Sequence, residues 1–70
     1  MDNKIEIGDR YECIGGSLYG FIRNKIYNVE DVGKYIWLFN DNKSYINFSL
    51  NQLNLHFKLI KKIEKWKKDT

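Results

Sequence analysis

Between Lys25 and Phe48 apolar and polar residues alternate in short runs cut by turn residues, and this pattern limits the middle of the chain to antiparallel strands. In KIYNVEDV (Lys25 to Val32) Tyr27 and Val29 fall on one face and Asn28 and Glu30 on the other, the period of a half-buried strand. Asp31, Val32 and Gly33 allow a turn, and KYIWLFN follows as a third strand with Ile36 and Leu38 on its inner face. DNKS (Asp41 to Ser44) tolerates the left-handed backbone of a tight turn and joins that strand to YINF (Tyr45 to Phe48) as a hairpin. The third strand is not two-faced in the ordinary way. If Ile36 and Leu38 point inward, Tyr35, Trp37 and Phe39 must point to the side where water is expected.

The flanking segments extend the pattern. DRYECIGG predicts a first strand at about residues 9–14, closed by a glycine pair. Gly15 to Asn24 is a breaker-rich loop that also holds Leu18, Tyr19, Phe21 and Ile22, so it should fold back onto the body. Ser49 is placed to cap a short helical turn through LNQLNL, after which HFKLIKK alternates Phe57 and Leu59 with lysines as a fifth strand. A competing pattern overlaps it: Leu50, Leu53, Phe57, Ile60 and Ile63 recur at helical spacing and would make one long helix from Ser49 to the chain end. Two folds follow. One is mainly β, a small five-stranded SH3-like barrel with one short helical turn and a basic C-terminal tail. The other is α+β, an antiparallel sheet with a C-terminal helix. The boundaries are a lead-in at 1–8, one domain at 9–62 and a tail at 63–70. The expected core is Tyr11, Cys13, Tyr27, Val29, Ile36, Leu38, Ile46, Phe48, Leu53, Phe57 and Leu59.

A chain of 70 residues, 43% apolar and 16% aromatic, has material for one small core. Its one cysteine, Cys13, excludes an internal disulfide and a thiolate zinc cluster. The charged first ten residues do not resemble a secretory signal, and no run approaches the roughly 18 apolar residues of a membrane span, so no membrane association and a cytoplasmic location are expected. From Lys58 onward six lysines oppose Glu64 and Asp69, a net +4 in a chain of net +3, so residues 1–57 sum to −1. The basic charge belongs to the end of the chain, which points to an acidic partner.

The spacing of Gly8, Asp9, Tyr11 and Cys13, then Lys25, Tyr27 and Val29, then Leu53, Phe57 and Leu59, gives an opening GD.Y.C, a K.Y.V strand, an aromatic hairpin and an L...F.L close. In these features the chain resembles a loose group of small phage and prophage SH3-like barrel proteins, mostly of unassigned function. The resemblance spans most of residues 8–60. It implies a barrel, a phage setting within a host cytoplasm and no catalytic residue, and it suggests a protein that binds and blocks host machinery, antiviral defence included.

The residues themselves give no catalytic constellation and imply no cofactor. General acid–base or nucleophilic catalysis needs cooperating polar groups. His56 has no orienting carboxylate placed by sequence, and Cys13 reads as a small core residue. Asp9 with Glu12, and Glu30 with Asp31, match no metal-binding loop and read as solvated charge. Gly15, Gly16 and Gly20 lack the lysine–serine pair of a phosphate loop. Binding is what remains. Tyr35, Trp37 and Phe39, with Tyr45 across the hairpin, exceed what the core needs and are residue types that anchor protein interfaces. They would meet a host protein or a second copy of the chain, unless the SLYGFI loop or the tail around Trp66 covers them. A rival reading makes the chain a small nucleic-acid-binding barrel that uses Lys61, Lys62, Lys65, Trp66, Lys67 and Lys68. Against it, ten of the twelve basic residues are lysines, whereas base readers favour arginine. A structural or assembly role in a virion is the third.

Overall fold

The structure, a computed structural model, describes residues 4–63. Its elements are β1 (Arg10–Cys13), β2 (Ile26–Val32), β3 (Ile36–Phe39), β4 (Tyr45–Phe48), α1 (Leu50–His56) and β5 (Phe57–Lys61). The strands form one antiparallel sheet in the order β4-β3-β2-β1-β5. The expected mainly-β class, with five strands and a short helix before the last, is observed. The sheet is open, with β4 and β5 as its edges, so a closed barrel is not what the strands form. Among the described residues no helix is long and apolar enough to cross a membrane.

The long-helix alternative is overturned. Ser49 caps α1 through a reciprocal box: its hydroxyl accepts from Gln52 N at 3.2 Å, and its own N–H donates to Gln52 Oε1 at 3.1 Å. The helix ends at His56, and from Phe57 the backbone is extended (φ −135, ψ 158). Phe57 then lies opposite Cys13 and Leu59 opposite Tyr11. Without β5, β1 would present a row of unpaired backbone groups on one side. The helical stripe offers little in exchange, since only Leu53 and Phe57 of its five residues are buried.

The core is aromatic at its centre. Phe21 packs against Tyr27, Phe57 and Phe48 with ring centroids 4.8, 5.3 and 5.6 Å away, and Phe48 and Phe57 are 5.3 Å apart. Tyr11, Cys13, Val29, Ile36, Leu38 and Leu53 complete it. Two expectations need correction. Ile46 is only partly buried against this cluster, and Leu59, opposite Tyr11 on the edge strand, remains 42% exposed. The residue that fills the space comes from the glycine-rich loop: Phe21 is 1% exposed. That loop does fold back. Leu18 and Phe21 exchange backbone hydrogen bonds of 3.0 and 2.9 Å around Tyr19 and Gly20, both at positive φ. At Gly20 (φ +81) a Cβ would stand 2.6 Å from Asn40 Nδ2, so both the turn and the close approach call for glycine.

Buried polar groups stitch this loop to the β3–β4 turn. Asn40 donates through Nδ2 to Tyr19 O at 2.7 Å, and its Oδ1 accepts from Asn42 N and Ser44 N at 3.0 and 2.8 Å. The Tyr27 hydroxyl accepts from Ile22 N at 2.8 Å and donates to Asp41 Oδ2 at 2.7 Å. These groups are satisfied, so burying them carries little penalty.

Asp9 departs most from expectation. It is not solvated charge but completely buried. Its carboxylate accepts from Lys62 Nζ at 2.6 Å, Ile63 N at 2.8 Å and Glu6 N at 2.9 Å. Its own C=O accepts from Val29 N, and Gly8 N donates to Val29 O, both at 2.8 Å. One residue thereby ties the segment before β1 and the residues after β5, through its side chain, to the middle of the sheet, through its backbone. A carboxylate can be buried here because three donors replace its water. Burial alone would raise its pKa; the Lys62 hydrogen bond, the Ile63 and Glu6 N–H groups and the Lys62 charge outweigh this and hold it below its ordinary value.

Two predictions follow from the packing. Phe21→Ala should cost about 3–5 kcal/mol in urea unfolding, as large-to-small changes at a core centre do, whereas Leu59→Ala should cost much less. For Asp9 the folded pKa is depressed, so its stabilisation is complete above the ordinary carboxylate value of about 4 and is lost as pH falls through the lower folded value. Stability measured across that acid range should drop in the natural chain. In Asp9→Asn it should be lower at neutral pH and lack this part of the acid dependence.

Candidate functional site

The site lies on the face of the sheet opposite the core. On β3, Trp37 and Phe39 alternate with buried Ile36 and Leu38 and therefore point outward. Phe39 stands directly across from Tyr45 on β4, with ring centroids 4.8 Å apart at 53°. Tyr45 is 60% exposed and Phe39 37%, while Trp37 is half-buried between Asn47 on β4 and Asp31 on β2. Tyr35 is placed differently from the expected outward strand position. It lies in the bend before β3, where its C=O accepts from Gly33 N at 3.0 Å and Lys34 Nζ sits 5.8 Å from its ring centroid. The structure thus groups Trp37, Phe39 and Tyr45 and puts Tyr35 in the turn.

A bulge in β2 adds charge to this face. Val29 lies opposite Leu38 and Asp31 opposite Trp37, so two steps on β2 match one on β3 and Glu30 is the extra residue. An unbroken strand would send Glu30 and Asp31 to opposite faces. With the bulge, both line an open groove of about 440 Å³ together with Trp37 and Tyr45. Asp31 Oδ1 accepts from Val32 N at 2.9 Å, and among the described residues no lysine or arginine forms an ion pair with either carboxylate. Reading Glu30 and Asp31 as solvated charges captures their exposure and misses their shared location. The signal for it was in the chain: Val29 and Val32 are three apart, and both face the core side, Val32 opposite buried Ile36, only if one residue between them is extra.

Of the lysines of the nucleic-acid reading, the two described ones, Lys61 and Lys62, do not line this groove. Lys61 is exposed at the end of β5, opposite Arg10. Lys62 is held by Asp9, with Glu6 Oε1 at 3.8 Å. Lys65, Trp66, Lys67 and Lys68 lie outside the described residues. Elsewhere, Cys13 is buried and its thiol is pushed up by that burial. The C=O of His56 accepts from Ile14 N and Gly15 N, which pins the end of α1 to the end of β1. Among the described residues no three histidine, cysteine or carboxylate side chains converge as a metal site would need.

If the outer aromatics are surplus to the core, their removal should be cheap. Tyr45→Ala deletes one cross-strand ring pair and should cost about 0.5–1.5 kcal/mol in urea unfolding. A loss as large as that expected for Phe21→Ala would instead make Tyr45 a core residue.

Set against known proteins, the chain matches no family model, no curated protein and no solved structure.

Proposed function

We propose that this chain is a non-enzymatic binding module that engages another protein through the outer face of its sheet, with Trp37, Phe39 and Tyr45 as anchors and Tyr35 at the rim. The observation that carries the proposal is the division of aromatics. Phe21, Tyr27, Phe48 and Phe57 fill the core, while Phe39 and Tyr45 pair at the surface beside Trp37. Exposed tyrosine and phenylalanine beside a half-buried tryptophan on one sheet face match the composition of interface hot spots. We read the open five-stranded sheet, with its short helix before the last strand, as an SH3-like arrangement left open at its edges. The resemblance to small phage proteins directs the proposal to a host protein in the cytoplasm, an antiviral defence factor among them, whose working surface this face would occlude. The nucleic-acid alternative is weaker on electrostatic grounds: Glu30 and Asp31 border the aromatics and repel phosphate, and Lys62 is already paired.

The test is affinity capture from host lysate with the natural chain and with Trp37→Ala, each with and without nuclease. The proposal predicts a protein retained after nuclease and lost with Trp37→Ala, a weakening of about 2 kcal/mol or more in direct binding, as for an interface anchor. The thermal midpoint of the variant should stay within a few degrees. Capture that disappears on nuclease treatment would favour the nucleic-acid reading, and unfolding of Trp37→Ala would place Trp37 in the core.

A further inference from the structure

The chemistry of the groove specifies what part of a partner it takes. Its walls are of two kinds. Trp37 and Tyr45 supply ring surface, and Glu30 and Asp31 supply two adjacent negative charges, brought to the same face by the β2 bulge. Adjacent carboxylates repel one another, and among the described residues neither forms an ion pair with a cation of this chain. Aromatic faces attract cations through their ring quadrupole, most strongly for tryptophan. An arginine or lysine side chain satisfies both walls at once: its aliphatic stem packs along the rings and its charged head meets the carboxylates. A neutral apolar side chain would leave the two carboxylates partly desolvated with no partner, and an acidic one would be repelled.

We infer that the groove between Trp37 and the Glu30–Asp31 bulge receives a basic side chain, arginine or lysine, projecting from the docking segment of the partner protein. The inference rests on the protein-binding reading and deepens it. Phe39 and the exposed ring of Tyr45 provide apolar contact beside the groove, and the acidic pair selects the charge of what enters. The partner's docking segment is therefore basic, and association weakens as salt screens the exposed carboxylates.

The experiment is an NMR titration of the full chain with three probes: N-acetyl-arginine amide, N-acetyl-lysine amide and the uncharged N-acetyl-norleucine amide. The arginine or lysine probe should shift the Trp37 indole N–H and the backbone of Glu30 and Asp31 in a saturable way, more strongly at low salt. Norleucine amide should bind at least about tenfold more weakly. The double variant E30Q/D31N should lose about tenfold for the cationic probe, with resonances outside the groove unmoved, which reports that the fold is intact. Equal binding of norleucine amide, unchanged binding by E30Q/D31N, or no movement of the groove resonances overturns the inference. Partner capture separates this failure from that of the function. A captured protein lost with Trp37→Ala but kept by E30Q/D31N sinks the basic-side-chain inference alone. Capture that neither substitution affects sinks the reading that this face of the sheet binds the partner, whatever the titration shows.

Discussion

One face of one sheet is all that this chain can bury, and the structure depends on how that face is closed. A domain of this size hides a modest share of its surface and has little stability to spare. Phe21 is the closure. It enters from a loop and touches rings from β2, β4 and the start of β5, joining elements far apart in sequence. Around it, Asn40 and the Tyr27 hydroxyl fasten the loop to the β3–β4 turn, and Asp9 fastens both ends of the described chain to β2. The core cluster contains none of the aromatics of β3 and β4 that face the other way.

Much of this was legible in the sequence, and the misses have physical reasons. Strict alternation identified β2 to β4 and most of the core, because period two fixes which side chains share a face. Ser49, read as a helix cap, marked the start of α1. Where two patterns overlapped, from Leu50 to Ile63, local spacing did not decide; the pairing needs of β1 did. Phe21 escaped the core list because its segment has no period, and the left-handed turn at Tyr19 and Gly20 that aims it inward is set by contact with Asn40. Asp9 read as solvent-exposed because its three donors, Glu6 N, Lys62 Nζ and Ile63 N, converge only in three dimensions. Tyr35 looked like part of the outer face because the strand was taken to begin at Lys34, two residues before its observed start at Ile36.

The candidate site was half visible. Trp37, Phe39 and Tyr45 stood out as surplus aromatics, and their cross-strand positions follow from the hairpin. The acidic half depended on the bulge, which reverses the face of Asp31 and places it opposite Trp37. A single extra residue thus adds two carboxylates to an apolar patch. The same face that plays no part in the core thereby carries both ring surface and negative charge, the two kinds of group on which a selective contact is built.

Two groups of aromatics on this sheet have opposite fates, one sealed in the core and one on the solvent side. The most direct measurement is NMR line broadening by a soluble paramagnetic agent on the folded chain. The ring resonances of Phe39, Tyr45 and the indole of Trp37 should broaden strongly, while those of Phe21, Phe48 and Phe57 should be protected. Protection of Phe39 and Tyr45 to the same degree as Phe21 would mean that the outer face is covered within the molecule and closed to a partner.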